Sequence, residues 1–279
     1  MSDALALSRR YWRYVALAAL LGLALWLRWR YVREISLYVD EFTTLWAARQ
    51  VQTHGAPIMP SGVLYTRGLL ASYVEALFLG LFGFSYTVGR LPSVLFGLTT
   101  IVAVWRIGRR EWPTSLLIGV GGLAAIGLTL LPEAIVWSSR ARFYAQLQLF
   151  ALLTVWAAYR FVTGYGVRDS SDDDTRQSPI QNLQSKILTR PWLFVACFVL
   201  ALFSQEETIL LYPATLVATW WWRGGRFLLR SEVLSAHLVC VAAMLVRLAI
   251  EIIGQPGYFE TIQAERPYVG LAFDLVGAW

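Results

Sequence analysis

The sequence is poor in charged residues, which make up 15% of its 279 positions, whereas 57% of the positions are apolar. Soluble domains are about 45–50% apolar and about 25% charged. The shortage of charge argues against a soluble enzyme, which would need many fully buried helices at this length. The composition predicts an all-α, polytopic membrane protein, a bundle of transmembrane helices.

Cysteine and histidine are also scarce, with two residues of each. Cys197 and Cys240 both lie inside apolar runs, which argues against a disulfide framework or a thiolate metal site. We expect both cysteines to be small core residues. His54 and His237 are isolated in the sequence, and neither alone predicts a metal ligand; His54 is kept only as a candidate for the site cavity.

Long apolar runs are abundant, and seven of them are long enough to cross a membrane. They lie near 14–31, 89–107, 114–132, 143–162, 191–206, 207–222 and 233–253. An eighth run, 68–84, has Glu75 at its centre, and a carboxylate at mid-bilayer costs about 2.5–3.5 kcal/mol. We therefore expect residues 68–84 to form an interfacial or re-entrant helix.

The distribution of arginine supports this topology. With 68–84 at the surface and the N-terminus in the cytoplasm, most basic residues fall on the cytoplasmic side, as the positive-inside rule requires; Arg28, Arg30 and Arg33 oppose it. The predicted loops are an outer loop at 32–88, a cytoplasmic loop at 163–190 and an outer loop at 254–279. The net charge of +6 then reflects topology and lipid headgroups, and predicts no nucleic-acid partner.

An acidic pair, Asp40-Glu41, follows the first apolar run and its arginines. One interpretation is helix capping, with Asp40 as the N-cap and Glu41 favoured by the helix dipole. The other is a general base that takes a proton from an acceptor hydroxyl, since a carboxylate is ionised at neutral pH. The residues alone leave both interpretations open.

Three further groups of polar residues stand near the ends of apolar runs. Arg140, Arg142 and Tyr144 follow the third run, where they could bind phosphate oxygens or anchor the interface. Glu206 and Glu207 require a partner, a cavity, a metal ion or a solvated turn. The last group lies around the 68–84 run and comprises Tyr65, Arg67, Glu75 and Arg90, while Arg247 in the seventh run is a candidate for an intramembrane ion pair.

Five motifs occur in order over residues 38–110: Tyr38-Val39-Asp40-Glu41, Gly55-Ala56-Pro57, Leu81-Phe82-Gly83-Phe84-Ser85, Gly89-Arg90-Leu91-Pro92-Ser93 and Arg106-Ile107-Gly108-Arg109-Arg110. Their order and spacing resemble the C-type (GT-C) glycosyltransferase superfamily of the polyprenyl-phosphate-sugar-dependent kind. Protein O-mannosyltransferases and the lipid A aminoarabinose transferase belong to this superfamily. From residue 111 onward the resemblance lies mainly in the pattern of spans and in the Arg-Phe-Tyr stretch at 142–144.

The resemblance implies a catalytic aspartate in the first outer loop, matching Asp40, and juxtamembrane helices in that loop. It implies transfer of one sugar from a lipid-phosphate donor on the non-cytoplasmic face, with inversion, while arginines stabilise the leaving phosphate. Many relatives have Pro-Pro-Leu or Lys-Pro where this chain has Thr66-Arg67-Gly68-Leu69, so Arg67 would replace the phosphate contact. Many also carry a second aspartate after the third span, where this chain has Ser-Arg-Ala-Arg and an earlier Glu133.

The resulting prediction is a multi-pass glycosyltransferase of a prokaryotic plasma membrane, with its active site on the outer face. Its partners would be a polyprenyl-phosphate sugar, a protein, lipid or glycan acceptor, and membrane lipids; a divalent cation is left open. The predicted roles are catalysis for Asp40 and Glu41, donor binding for Arg67, Arg90, Arg140, Arg142, Tyr144 and Tyr65, and a cavity or metal site for Glu206, Glu207, Glu75 and His54.

We predict a single module over residues 1–279. Relatives are commonly longer, so we also consider that it lacks a C-terminal region. The alternatives are a non-catalytic or partial module of the same superfamily and a membrane transporter or lipid flippase. Transporters concentrate polar residues near mid-membrane on broken helices, whereas here they collect at the outer ends of the runs.

Overall fold

The computed structural model describes residues 2–113, 119–164 and 191–254, and helices dominate all three ranges. The described helices are α1 (Ser2–Glu34), α2 (Val39–His54), α3 (Leu69–Phe82), α4 (Tyr86–Glu111), α5 (Gly119–Leu130), α6 (Pro132–Trp137), α7 (Tyr144–Gly164), α8 (Pro191–Ser204), α9 (Leu211–Arg223), α10 (Gly225–Leu228) and α11 (Ser231–Gly254), with a 3-10 helix at Glu206–Leu210. Within these ranges there is no strand, only an isolated bridge between Ile58 and Leu64. The predicted all-α fold is confirmed.

Four helical segments are long and apolar enough to cross a membrane: Tyr11–Glu34, Tyr86–Glu111, Tyr144–Gly164 and Ser231–Gly254. They correspond to the predicted spans 14–31, 89–107, 143–162 and 233–253. Four of the seven predicted spans therefore meet this length and composition among the described residues. The loops predicted at 163–190 and 254–279 lie almost entirely outside the described residues.

The other three predicted spans are short helices in the parts of the chain that the structure describes. Helix α5 ends at Leu130 because Leu131 has an extended backbone and Pro132 starts α6, as expected for the residue before a proline. Helix α8 has 14 described residues. The predicted span 207–222 is wrong as one long helix, because it opens with a 3-10 turn and α9 has only 13 residues.

Helix α4 lies at the centre of the N-terminal part and packs against α1, α3, α5 and α7. In its most apolar window 44% of the residues are buried, against 17% for α1, so α4 is the helix that organises this part. Its contact with α5 is made where Gly108 faces Gly121, and a Cβ on Gly108 would collide with the backbone of Gly121. Small residues at such a crossing let two backbones approach closely.

We expect Gly108→Ala to destabilise the protein by about 1–3 kcal/mol, because the added methyl group must push α4 and α5 apart. The matched control is Gly127→Ala in α5, where an added Cβ meets nothing within 4 Å. The measurement is the thermal unfolding midpoint of both purified variants in detergent. Equal midpoints for the two variants would contradict the close contact between these helices.

The segment between α1 and α4, which was predicted as the first outer loop, contains α2 and α3, and these two helices pack against each other through Leu45, Ala48, Ala76 and Leu79. Helix α2 ends at His54, where Gly55 follows with a left-handed φ of 75°. Its N-cap is Tyr38, so the capping interpretation of Asp40 as the N-cap is wrong.

Helix α3 has 14 residues, a length of about 21 Å at 1.5 Å per residue, against the roughly 30 Å of a hydrocarbon core. Its length agrees with the expectation that it does not span the membrane, and its position at the interface stays a prediction. Glu75 is only 1% exposed, so its carboxyl group packs inside the protein instead of facing lipid.

A second apolar cluster joins α7, α8, α9 and α11 through Phe194, Phe198, Tyr212 and Cys240, among others. Both cysteines are free and buried, which confirms the prediction that they are core residues. This cluster holds α11 against α8, and Arg247 of α11 contacts Thr66 in the segment between α2 and α3.

Candidate active site

A buried ion pair between Glu41 and Arg90 is the anchor of the site. Arg90 Nε donates to Glu41 Oε1 at 2.8 Å, and Arg90 Nη2 donates to Glu41 Oε2 at 2.9 Å. Each carboxylate oxygen accepts a second bond from a backbone N–H, from Ala141 to Oε1 and from Tyr38 to Oε2, both at 2.9 Å. Glu41 therefore joins the start of α2, helix α4 and the segment before α7.

The remaining N–H groups of Arg90 are also used. Nη1 donates to the carbonyls of Val32 and Ile35, and Nη2 donates to the carbonyl of Ser36. A guanidinium has five N–H donors, and all five of Arg90 bind protein oxygens. The Arg90 side chain is buried and its donors all bind protein oxygens, an arrangement that lends no support to the predicted contact with the donor phosphate.

Burial acts to raise the pKa of Glu41, but the bonds from Arg90, Tyr38 and Ala141 outweigh it and hold the pKa below its ordinary value. An ionised carboxylate with four N–H donors has no lone pair free for a metal ion or a substrate proton. The structure therefore gives Glu41 a positioning contact.

Asp40 is adjacent to Glu41 but faces the other way. Its side chain is 45% exposed, and its Oδ2 lies 3.4 Å from Nη2 of Arg142, whose own side chain is buried. Nη1 of Arg142 donates to the Asp40 carbonyl, to Thr44 Oγ1 and to Tyr65 OH at 3.1–3.2 Å. This arrangement pairs an accessible carboxylate with a fixed cation.

The charge on Arg142 is stabilised by its surroundings. Burial acts to lower the pKa of Arg142, but Tyr65, Tyr144 and Asp40 outweigh it and raise the pKa. The guanidinium carbon also lies 4.9 Å from the ring centre of Phe143 and 5.5 Å from that of Tyr144. Arg142 Nε is buried without a hydrogen-bond partner, so one donor of this cation is unused.

Glu75 lies close enough to Arg142 and Glu41 to interact with both charges. Burial raises the pKa of Glu75 well above its ordinary value, and the positive charge of Arg142 opposes this only in part. Its Oε2 is buried without a hydrogen-bond partner. Burial therefore favours the neutral form of the Glu75 carboxyl group beside Arg142.

Arg140 occupies an aromatic site next to Arg142. Its Nε and Nη2 both donate to Tyr31 OH, at 3.2 and 3.0 Å. Its guanidinium carbon lies 4.6 Å from the ring centre of Tyr38 and 5.4 Å from that of Trp137. The half-buried guanidinium is thus fixed in direction, with Nη1 free of any hydrogen bond given by the described residues.

The predicted donor-binding residues fall into two sets. Tyr65, Arg142 and Tyr144 meet directly, and Arg140 lies two residues from Arg142. Arg67 is exposed and follows Thr66 in the same segment as Tyr65. The structure thus brings Tyr65, Arg142 and Tyr144 into contact, whereas Arg90 reaches this region only through Glu41, which also binds the Ala141 backbone.

The residues considered for a cavity or metal site are dispersed. Glu206 pairs with Arg247 at 3.1 Å, Glu207 is exposed, and Glu75 is buried near Arg142. His54 is exposed at the end of α2, beside Thr53. In the described ranges no group of three His, Cys, Asp or Glu side chains could hold a metal ion. These four residues therefore do not form the metal site considered from the sequence.

Two contacts of the site were not predicted. Thr44 contacts Arg142 from one turn beyond Asp40, and the i, i+4 spacing on α2 is the signal that could have found it. Ser93 Oγ donates to the Arg142 carbonyl at 2.9 Å, and its place in the Gly-Arg-Leu-Pro-Ser motif gives no hint of a partner 49 residues away.

A comparison with protein families finds a match over part of the chain. The family model described as dolichyl-phosphate-mannose-protein mannosyltransferase matches residues 66–169, which include Arg67, Arg140 and Arg142 but not Asp40. No curated protein and no solved structure gives a significant match to the chain. The family match and the four membrane-length helices support the chain's membership of the GT-C superfamily, as an integral membrane glycosyltransferase.

Proposed function

We propose that this protein transfers a sugar from a polyprenyl-phosphate donor to an acceptor hydroxyl on the non-cytoplasmic face of a prokaryotic plasma membrane, with inversion at the anomeric carbon. The observation that carries this proposal is the half-exposed carboxylate of Asp40 beside the buried cation of Arg142. An accessible base and a fixed cation are the two groups that glycosyl transfer from a phosphate requires.

In the proposed reaction Asp40 accepts the proton of the acceptor hydroxyl. The acceptor oxygen then forms a bond to the anomeric carbon, while the bond from that carbon to the phosphate oxygen breaks and the lipid phosphate leaves with the electron pair. Arg142, Arg140 and Arg67 offset the developing charge on the phosphate. Tyr65 and Tyr144 orient Arg142, and Glu41 fixes the backbone of Asp40 without taking part in the proton transfer.

The direct test is transfer of radiolabelled sugar from a panel of polyprenyl-phosphate sugars by the purified full chain in proteoliposomes. We expect a labelled acceptor and release of polyprenyl phosphate in equal amounts. Movement of the donor across the bilayer without a new glycosidic bond would favour the transporter alternative. A folded wild-type protein that turns over no donor would favour the partial or non-catalytic module.

Arg142→Lys is expected to lower kcat/KM for the donor by about 10²–10³-fold, the usual cost of removing one preorganised charge contact. Lysine retains the positive charge but cannot reproduce the bonds that Arg142 makes to Asp40, Thr44 and Tyr65. The matched control is Arg30→Lys, since Arg30 is an exposed arginine paired only with Glu34 one turn away. Equal kinetics for the two variants would remove Arg142 from the donor site.

A further inference from the structure

The segment Leu64–Arg67 contacts arginines from two different parts of the chain. Tyr65 OH accepts the bond from Arg142, which belongs to the proposed donor site. The Thr66 carbonyl accepts a bond from Arg247 Nη2 at 2.9 Å. This segment therefore connects helix α11 to the site.

Arg247 is held at a fixed place by two acids. Its Nη2 also donates to Glu206 Oε2 at 3.1 Å, and its Nη1 forms an ion pair with Glu251 Oε1 at 2.8 Å. Arg247 and Glu251 are buried, whereas Glu206 is 31% exposed. An ionisable side chain within a membrane-spanning helix costs free energy, and such a residue marks a candidate functional site. Besides its two acidic partners, Arg247 binds one uncharged group, the backbone carbonyl of Thr66.

A second contact fastens the same segment to the same helix. The backbone N–H of Leu64 donates to the Gly254 carbonyl at 2.9 Å, two helical turns beyond Arg247. A Cβ on Gly254 would lie 2.8 Å from the Leu64 side chain, so the glycine is needed for this approach. The bonds at Leu64 and Thr66 therefore hold the backbone of the segment that carries Tyr65 and Arg67.

We propose that Arg247 is a positioning residue, which holds the segment Leu64–Arg67 on α11 so that Tyr65 and Arg67 face the phosphate of the lipid donor. This inference rests on the proposed function and names the part of the substrate that the α11 contact controls. Arg247 acts on donor binding through the Thr66 backbone, and it takes no part in the proton transfer at Asp40.

The test is binding of polyprenyl phosphate, without sugar, to the detergent-solubilised full chain by titration calorimetry. We expect Arg247→Met to weaken binding by about tenfold, the equivalent of one hydrogen bond to a charged group. Gly254→Ala, which disturbs the Leu64 contact instead, is expected to weaken it in the same direction. Leu248→Ala, at an exposed neighbouring position on α11, is the matched control and should bind as the wild type does.

A double-mutant cycle separates positioning from a general loss of stability. If Arg247 acts through Arg67, Arg247→Met should have little further effect on binding in an Arg67→Ala background. In the transfer assay Arg247→Met should raise the donor KM and leave the pH profile of kcat unchanged. A lower unfolding midpoint with unchanged binding, or fully additive effects in the cycle, would overturn the inference alone, whereas a folded wild type that binds no polyprenyl phosphate would overturn the proposed function as well.

Discussion

Asp40→Asn is expected to abolish sugar transfer, with a loss in kcat of about 10²–10⁴-fold, the range for removal of a general base. Asparagine has nearly the same shape as aspartate but cannot accept the proton of the acceptor hydroxyl. The fold should tolerate the change, because the Asp40 side chain is half-exposed and its ion pair with Arg142 is long, at 3.4 Å. Donor binding should be retained, since Arg142 keeps its bonds to Thr44 and Tyr65.

The measurement is single-turnover transfer in proteoliposomes, with the unfolding midpoint recorded for the same preparations. Glu34→Gln serves as the control, because it removes an exposed carboxylate at the end of α1 that pairs with Arg30. We expect wild-type rates for that variant. Wild-type rates for Asp40→Asn would exclude Asp40 as the base, and an equal loss in both variants would indicate a general effect of surface charge.

Glu41→Gln is expected to destabilise the protein by about 3–5 kcal/mol, the cost of leaving one member of a buried ion pair without its partner. The amide would leave the charge of Arg90 uncompensated, and its NH₂ group would face a donor from Arg90 or from the backbone of Ala141 or Tyr38. The expected result is a large fall in the unfolding midpoint and in the yield of folded protein. Loss of activity should follow from loss of structure.

A cycle with Arg90→Met tests whether the two residues act as a pair. Because the double variant contains no unpaired buried charge, we expect it to be more stable than the sum of the single effects predicts. Additive effects would contradict the direct pairing. The single variant Glu111→Gln, which alters an ion pair at the other end of α4, provides a comparison within the same helix.

The Glu41–Arg90 pair also predicts that the free energy of unfolding depends on pH in the acid range. Since the pKa of Glu41 in the fold is lower than its ordinary value of 4.5, its contribution is complete above about pH 4.5 and is lost as the pH falls through the folded pKa. Wild type should therefore lose more stability in this acid range than Glu41→Gln does. Parallel stability profiles for the two proteins would show that Glu41 does not titrate in the fold with a lowered pKa.

The sequence identified the acidic pair but could not assign its two members. Neighbouring residues on a helix point to different faces, and here Glu41 points into the protein while Asp40 points outward. Which residue takes which direction depends on Arg90 and Ala141, which are 49 and 100 residues away from Glu41. No local pattern contains that information, so the motif alone suggested catalytic roles for both.

The spans were predictable where apolar residues continue for more than 20 positions, as in α4 and α11. The 207–222 run was predicted as a span, but apolar content does not show where a 3-10 helix replaces the α-helix. There Glu206 pairs with Arg247 from another helix, and the chain forms a 3-10 turn before α9. The ion pair of Arg247 was anticipated from its place within a span, but its bond to the Thr66 carbonyl was not, since a backbone acceptor leaves no trace in side-chain patterns.

Glu41, which anchors the segment between α1 and α4 through Arg90, is bonded directly to Asp40, the residue proposed as the base. Any change that loosens the Glu41–Arg90 pair will therefore displace Asp40, even when it lies far from bound substrate. A genetic screen that scores only glycosylated product would rank such changes beside true losses of the base. Surveys of natural or laboratory variants of this loop need a parallel measure of protein abundance before a residue is counted as part of the chemistry.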